Sequence, residues 1–444
     1  MYLRAIEISN IRSLKKLVWR LPDGQRGPGW HVILGDNGAG KSSFMQAVSL
    51  ALVGPSEAPA LRQDFNQWLR ADAAHGDIQL GVEPSEIDLW RDRGGKDQLI
   101  SPHIRLERSR ADERLVEVSA KNQLKKGPYR GLWSGSGGWF SAGFGPFRRF
   151  QGGDSDTSKL FYSNPRLARH LSMFSEGVAL TECLAWLCKQ HTRTLEQQSA
   201  DETPAFSYES LLLEYLKGFI NDSGLLPNGV QLKRVNSETV VFRDADGQDV
   251  PVMALSDGFR TTLSLTFELL RLMVQSFGAA RFMDKAKRKR AGEETSPYVS
   301  LPGVVLIDEV DAHLHPTWQH RIGEWFKRSF PNVQFLVTTH SPIICQAAAG
   351  GSVFKLPQPG TDEEARMFQG MEFKRLVYGT VLDAYRTSAF DADATRSDAA
   401  RELLDELASL NVKEIAEGLD DTERQRQEEL RTILPGRDPQ RPEL

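Results

Sequence analysis

The hydrophobic residues of the chain fall into short runs that predict buried strands. Residues 30–34, 303–307 and 333–339 are mainly apolar from end to end. A short apolar run of this kind is typical of a parallel strand whose sheet is covered on both faces. Residues 5–14 alternate apolar and polar positions instead, which predicts a further strand ahead of the first apolar run.

Two other regions carry apolar residues at helical spacing. Between residues 166 and 219 the spacing predicts a short helical arm, divided into two helices by the sequence DETP at 201–204. From about Ser397 a charged segment with a leucine stripe predicts a helical tail, which packs on the rest of the chain or contacts a partner. The apolar positions of the two regions are Leu171, Phe174, Val178, Leu180, Leu184 and Leu187, and then Leu403, Leu404, Leu407 and Leu410.

The order of these patterns predicts an α/β protein with an interrupted core. A chain of 444 residues is too long for a single ordinary core, so we expect more than one subdomain. We expect four segments: residues 1–165 form the first half of an α/β head, 166–224 the arm, 225–380 the second half of the head, and 381–444 the tail.

The clearest chemical signal is the sequence GDNGAGKS at residues 35–42, which matches the phosphate-binding pattern G-x-x-x-x-G-K-[ST]. It follows a predicted strand and precedes a predicted helix, the context that distinguishes this loop from a chance glycine-rich turn. Its backbone N–H groups can surround a triphosphate, Lys41 can reach the β- and γ-phosphates, and Ser42 can ligate Mg²⁺. The residues predicted to bind nucleotide here are Asn37, Gly38, Gly40, Lys41, Ser42 and Ser43.

Acidic residues and a histidine follow the other two apolar runs. Asp308 and Glu309 come directly after residues 303–307, and His340 follows 333–339. Because α/β sheets bind ligands at the carboxyl ends of their strands, we expect these side chains near the phosphate loop. Asp308 would then hold Mg²⁺, Glu309 would orient or deprotonate a water, and His340 would sense the γ-phosphate. The alternatives are an acidic turn and a structural histidine.

The sequence LSDGF at residues 255–259 precedes a helical pattern and predicts a second anion site at a helix start. Together with the phosphate loop and acid pair, it resembles the signature motif of the ABC ATPase superfamily. The resemblance implies ATP and Mg²⁺ as ligands, and an ABC-type P-loop ATPase head with an inserted helical arm and a helical tail. It also implies that Ser256 and Gly258 close over the nucleotide of a partner protomer, so that a homodimer or higher homo-oligomer is needed.

The opening SNIRSL at residues 9–14 is similar to the RecF/SMC class of these ATPases rather than to transporters. The sequences DEVDAHLHPTWQ at 308–319 and TTHSP at 338–342 resemble anti-phage ATPases: the Septu and PARIS ATPases and the ATPase part of OLD nucleases. By that resemblance Asp311 is a catalytic-site acid that communicates across the dimer. The resemblance also implies a glutamine that couples the metal to the arm, for which Gln151 is the candidate; a plain surface glutamine is the alternative.

Composition narrows the choice of environment and partner. The net charge of −4 argues against general coating of nucleic acid. Three cysteines form no disulfide framework, the amino terminus shows no signal-peptide pattern, and the most apolar segment contains Glu268 and Arg271. We therefore expect a cytoplasmic protein without a membrane partner. The basic run at residues 285–290 is expected on a loop, where it either contacts a nucleic-acid backbone or is simply solvated.

Two functional hypotheses remain. The first is an ATP-hydrolysing sensor or scaffold of a bacterial anti-phage system, which gates a separately encoded effector, for example a nuclease. The second is a RecF-like repair ATPase that binds DNA directly. We favour the first because the carboxyl-terminal motifs resemble the defence proteins more closely, and because the sequence shows no second catalytic set of residues.

Overall fold

The computed structural model describes residues 1–88, 99–109, 116–120, 132–133, 139–148, 150, 164–175, 180, 182–200, 208–227, 229–291, 294–361, 363–390 and 397–434. The chain forms two compact units, residues 1–378 and 379–444. The strands are β1 (Tyr2–Ile11), β2 (Leu14–Arg20), β3 (Gly29–Leu34), β4 (His75–Glu83), β5 (His103–Arg108), β6 (Val116–Ala120), β7 (Ser141–Phe144), β8 (Gln231–Val235), β9 (Val240–Arg243), β10 (Asp249–Pro251), β11 (Ala286–Ala291), β12 (Glu294–Val299), β13 (Gly303–Ile307), β14 (Val333–Thr339), β15 (Ser352–Lys355) and β16 (Arg366–Met367). The helices are α1 (Lys41–Val53), α2 (Pro165–Ala168), α3 (Glu182–Ala200), α4 (Tyr208–Asp222), α5 (Asp257–Phe277), α6 (Ala279–Lys285), α7 (Pro316–Ser329), α8 (Pro342–Cys345), α9 (Gly370–Tyr378), α10 (Val381–Tyr385), α11 (Asp398–Ala416) and α12 (Asp421–Ile433).

The central sheet of the first unit has six strands in the order β16-β15-β3-β14-β13-β7. All neighbours pair in parallel except the edge pair β15 and β16. Strands β13 and β14 are buried along their whole length, as expected for parallel strands covered on both faces. The three apolar runs of the sequence therefore correspond to adjacent central strands, β3, β14 and β13, which confirms that prediction.

A second, antiparallel sheet of five strands has the order β2-β1-β4-β5-β6. Helix α1 contacts strands of both sheets, β1 and β4 on one side and β7 and β13 on the other. Because it lies between two layers, it is apolar almost all round rather than along one stripe. The alternating residues 5–14 form most of β1 and the turn into β2, with the buried positions facing the core.

The opposite face of the central sheet is covered by α7 and an aromatic cluster. Trp30 stacks on Phe326 at a centroid distance of 6.1 Å, and Phe326 lies 5.1 Å from Phe335. Phe330 continues the cluster to Phe219 on α4 at 5.6 Å. The helical segment α3–α4 is thus joined to the sheet through a fully buried aromatic contact as well as through α5, which contacts α3.

The basic run at residues 285–290 differs from the sequence-based expectation of a loop. Lys285 ends α6, and the backbone from Ala286 to Ala291 forms β11, which pairs antiparallel with β12 in register from Ala286 with Val299 to Ala291 with Glu294. The Tyr215 hydroxyl of α4 donates to the Tyr298 carbonyl at 2.9 Å and holds the base of the hairpin. The hydrogen bonds between the two strands explain why a sequence with high net charge still takes an extended form.

The second unit contains α10, α11 and α12. A capping box begins α12, where Asp420 accepts from the backbone of Glu423 and the Glu423 side chain accepts from Asp420. Arg426 joins the two longer helices through both oxygens of Glu406, at 2.8 and 2.9 Å. Within the part of the chain that the structure describes, no helix is both long and apolar enough to cross a membrane.

Candidate nucleotide-binding site

Four neighbouring strands end at one edge of the central sheet. The register places Leu34 beside Thr339, and Ile307 lies between Val337 and Phe144. The residues that follow β3, β14, β13 and β7 are therefore brought to a common edge. Since parallel strands present their carboxyl ends together, this edge collects the phosphate loop, His340, the acid pair and the segment after β7.

The phosphate loop leaves β3 and turns directly into α1. Gly38 and Gly40 have φ of +80° and +92°, values that favour glycine. A Cβ on Gly40 would lie 2.5 Å from the Ser13 hydroxyl oxygen, so the loop is in close contact with the turn between β1 and β2. Lys41 is the first residue of α1, and Ser42 is half-buried in its first turn. The loop thus presents the positive end of a helix at the sheet edge.

The Lys41 ammonium lies over its own loop. It donates to the carbonyls of Gly35 at 2.8 Å and Asp36 at 3.0 Å, and the residue is only 6% exposed. Burial lowers the pKa of Lys41, while the carboxylates of Asp308 and Glu309 oppose that shift. The register of β3, β14 and β13 brings the loop lysine and the acid pair to the same edge of the sheet.

The acid pair is held by a threonine of the neighbouring strand. Asp308 is 1% exposed, and its carboxylate accepts a hydrogen bond of 2.5 Å from the Thr338 hydroxyl. The same hydroxyl oxygen accepts the N–H of Glu309 at 2.7 Å. Glu309 has a φ of +47°, a left-handed conformation that costs a non-glycine residue about 1–3 kcal/mol. Such strain persists only where the surroundings fix the backbone.

The segment after β7 contributes Arg148 to the acid pair. The residue is 4% exposed, and its guanidinium donates to the carbonyls of Gly145, Asp308 and Glu309 at 3.0, 2.6 and 2.8 Å. Burial lowers the pKa of Arg148 to about 10, against the opposing effect of nearby carboxylates that include Asp311. The guanidinium remains charged at neutral pH.

Asp311 and His340 lie at the open side of the site. The Oδ1 atom of Asp311 is buried and has no hydrogen-bond partner in the described structure. His340 is exposed, but its imidazole is partly desolvated by its neighbours. This desolvation is the main cause that lowers the pKa of His340, and the charge of Lys41 is the second; Asp311 and Glu309 act in the opposite direction. The structure therefore places the three residues predicted as catalytic around the same lysine.

The segment 255–259 forms the start of α5 but not part of this cluster. Ser256 occupies the N-cap position and is exposed, and its side chain makes no capping hydrogen bond. A Cβ on Gly258 would lie 3.3 Å from the His313 carbonyl, and Phe259 meets Trp318 edge to face at 6.5 Å. No hydrogen bond or ion pair among the described residues joins Ser256 or Gly258 to the phosphate loop.

The remaining predicted residues differ in position. Asn37 and Gly38 are exposed at the loop tip, and Ser43 is half-buried beside Ser42. Gln151 lies outside the described residues. Sequence reasoning missed Thr338, and it gave Arg148 no part in the acid site. Thr338 begins the TTHSP motif, so the motif could have indicated its role. Arg148 is a single arginine in a glycine-rich segment, and no sequence pattern indicated its role.

The donor set fits a magnesium ion that takes only part of its coordination from protein. Ser42 has no hydrogen bond from its hydroxyl to any residue that the structure describes, and the charge of the Asp308 carboxylate acts on the Lys41 ammonium. In the described ranges no group of three or more His, Cys, Asp or Glu residues could enclose a metal by itself. Mg²⁺ usually binds through one or two protein oxygens together with substrate phosphates and water.

Two family models and several curated proteins match this chain. Residues 193–346 match a family described as "AAA domain, putative AbiEii toxin, Type IV TA system", and residues 5–137 match a family described as "AAA domain". The Septu protein PtuA of Bacillus mycoides (strain KBAB4) is 24% identical over 394 residues, covering 88% of this chain and 44% of that protein. The Retron Ec83 probable ATPase of Escherichia coli is 29% identical over 159 residues, covering 36% of this chain and 24% of that protein.

A solved structure of an SmcHead bound to the C-winged helix domain of ScpA aligns with 84% of this chain and 99% of its own, at 15% identity and a TM-score of 0.45. This chain spans less than half the length of the two curated relatives. The matched domains, the phosphate loop and the strand-end acids support an ABC-type P-loop ATPase. Within that class it is related to Septu and retron proteins, which confirms the resemblance seen in its motifs.

Proposed function

We propose that this chain hydrolyses ATP as the sensor or scaffold subunit of a bacterial anti-phage system. The observation that carries the proposal is the convergence of Lys41, Asp308 and Glu309 at one edge of the central sheet. The relatedness to Septu and retron proteins supports the defence context. Free, buried cysteines at positions 183, 188 and 345 fit the reducing cytoplasm in which such a protein would act.

The proposed chemistry divides the work among the residues of this edge. Lys41 exchanges its two loop carbonyls for phosphate oxygens, and the backbone N–H groups at the start of α1 face the same phosphates. Ser42 and Asp308 would hold Mg²⁺, which would neutralise negative charge on the phosphates. Glu309 positions the attacking water or takes its proton, and His340 contacts the γ-phosphate from the exposed side.

The proposed catalytic acid is tested by Glu309→Gln. We expect this variant to bind ATP with an affinity close to that of the wild type and to lose about 10²–10⁴-fold in kcat, the usual contribution of a positioned base. Steady-state hydrolysis and equilibrium binding of a fluorescent ATP analogue measure the two quantities separately. Lys41→Ala is the comparison variant, because it should weaken binding itself. Turnover by Glu309→Gln at the wild-type rate would show that another group activates the water.

The proposed complete site needs a second copy of the chain. Ser256 is exposed at the start of α5, and no hydrogen bond among the described residues joins it to the phosphate loop of its own chain. An exposed serine of this kind is expected if it completes the site of a partner. Mixing Lys41→Ala with Ser256→Arg should therefore restore hydrolysis to about a quarter of the wild-type rate, because half of the randomly paired dimers regain one of two sites. Either variant alone stays inactive. A wild-type chain that is active as a monomer in analytical ultracentrifugation contradicts the shared site.

The proposed output is control of a separate effector. Closed heads would bind ATP better than open ones, and the resulting shift in population would hold or release the effector. The Glu309→Gln chain, arrested with ATP bound, should retain the product of an adjacent gene differently from the wild type during purification.

The basic hairpin β11–β12 favours the second function, a repair ATPase. Tight, salt-sensitive DNA binding by the isolated chain supports that alternative, and DNA cleavage by the isolated chain contradicts a separate effector.

A further inference from the structure

The buried guanidinium of Arg148 has no role in the chemistry described above, yet it lies against the acid pair. Its side chain is inaccessible, and both terminal nitrogens already donate to main-chain carbonyls. A group in this position cannot leave to bind phosphate without breaking those bonds. Its effect on the reaction must therefore pass through the backbone that it holds.

The three carbonyls belong to the ends of two adjacent strands. Gly145 follows β7, whereas Asp308 and Glu309 follow β13, and the register pairs Phe144 with Ile307 immediately before them. The Asp308 N–H also donates to the Phe144 carbonyl at 2.8 Å. Arg148 therefore extends the connection between the two strands beyond the point where regular pairing stops.

The Glu309 peptide unit is held from both sides. Its N–H donates to Thr338, and its carbonyl accepts from Arg148 Nη2 at 2.8 Å and from the Ala312 N–H at 2.9 Å. These contacts fix the left-handed backbone of Glu309, which in turn fixes the direction in which its side chain leaves. A planar guanidinium can serve two successive carbonyls at once, which the single ammonium of a lysine does less well.

We propose that Arg148 is a positioning residue, which locks the strained backbone of Glu309 so that its carboxylate faces the attacking water. The inference rests on the proposed ATP hydrolysis, since it assigns Arg148 to that same site. It predicts that Arg148 acts only through Glu309. Removing the guanidinium should leave nucleotide binding intact, because the phosphate loop and Lys41 are held by other contacts.

The test uses the full chain and compares Arg148→Gln with Arg169→Gln. Arg169 is a matched control, because burial lowers the pKa of its guanidinium to about 10 as well, while it bonds Ser276 at 2.6 Å rather than the acid pair. We expect Arg148→Gln to reduce kcat about 100-fold, or about 2.7 kcal/mol in activation free energy, with KM changed less than about threefold. Arg169→Gln should keep kcat within about threefold at a comparable loss of thermal stability.

A double variant separates positioning from a general structural effect. If Arg148 acts through Glu309, adding Arg148→Gln to Glu309→Gln should not lower the residual rate further. An equal fold-loss in both backgrounds, or an unchanged kcat in the single variant, overturns the inference. If Arg148→Gln does not fold, Arg148→Lys supplies the same comparison, with an intermediate kcat expected.

A readout without turnover keeps the inference distinct from the proposed function. Hydrogen exchange of the peptide containing residues 309–314 should accelerate at least about tenfold in Arg148→Gln and stay unchanged in Arg169→Gln. A wild-type chain that fails to hydrolyse ATP would refute the proposed function while leaving this measurement informative. Unchanged exchange at 309–314 in Arg148→Gln would refute the backbone lock, whatever the wild type hydrolyses.

Discussion

Thr338→Val isolates the hydroxyl that joins the acid pair to the neighbouring strand. Valine has nearly the same shape as threonine and suits a central strand, so β14 should keep its pairing and no cavity should form. The substitution removes the donor to the Asp308 carboxylate at 2.5 Å and the acceptor of the Glu309 N–H at 2.7 Å. Both partners lie in a site where Thr338 itself is fully buried.

The expected cost follows from those two bonds. A buried polar group left without its partner costs about 1–3 kcal/mol, so the two together amount to about 2–6 kcal/mol. Native proteins have about 5–15 kcal/mol of net stability, which makes this a large fraction. The midpoint of thermal unfolding of the first unit should fall by about 5 °C or more. Differential scanning calorimetry on the full chain measures it, since a chain with two units need not unfold in one step.

Thr338→Ser is the control for this prediction. It keeps the hydroxyl and removes one buried methyl group, so its cost should be about 1 kcal/mol. ATP hydrolysis should also separate the two variants, with Thr338→Ser near the wild-type rate and Thr338→Val well below it. If the valine variant unfolds at the same temperature as the serine variant, the hydroxyl and its two hydrogen bonds do not stabilise the acid pair.

Two further predictions concern the loop and the buried histidines. Gly40→Ala should weaken ATP binding at least about tenfold in equilibrium titration, because its Cβ would lie 2.5 Å from the Ser13 hydroxyl. The control is Gly24→Ala, at a similar positive φ with open space around it, which should leave ATP binding unchanged. Burial lowers the pKa of His31 to about 4 and that of His170 to about 3. Their unfolded pKa is about 6.5, so each contributes stability that is present above that pH and declines as the pH falls toward its folded value. Each should cost about 2 kcal/mol by pH 5, and replacing His31 should flatten the measured decline between pH 7 and 5.

Much of the fold could be predicted because its central strands are apolar on both faces. Residues 303–307 and 333–339 are stable as strands only where both faces are covered. The motifs that follow them indicated that the strands end at the same edge of the sheet. The basic run at 285–290 shows where such reasoning fails. Charge density favours a solvated loop, but pairing with the partner strand from Glu294 to Val299 supplies backbone hydrogen bonds that composition does not reveal.

The residues of the candidate site that could be predicted form a local sequence motif, whereas the others depend on contacts between residues distant in the sequence. The phosphate loop could be predicted because its chemistry is contained in eight consecutive residues at 35–42. Arg148 could not, since its three acceptors include carbonyls 160 residues away, and a main-chain carbonyl carries no sequence signature. The strain at Glu309 was equally hidden, because a left-handed glutamate depends on the groups that hold it rather than on its own type.

The position of α5 links the two halves of the proposed dimeric site within one chain. The start of this helix touches the segment that follows the acid pair, through Gly258 against the His313 carbonyl and Phe259 against Trp318. In the proposed dimer, the partner's nucleotide would press on Ser256, and the same helix start rests on the continuation of the chain's own acid turn. ATP bound by the partner would then act on the end of β13, where each protomer hydrolyses its own ATP. Such a contact can couple the two sites only if it has two stable arrangements.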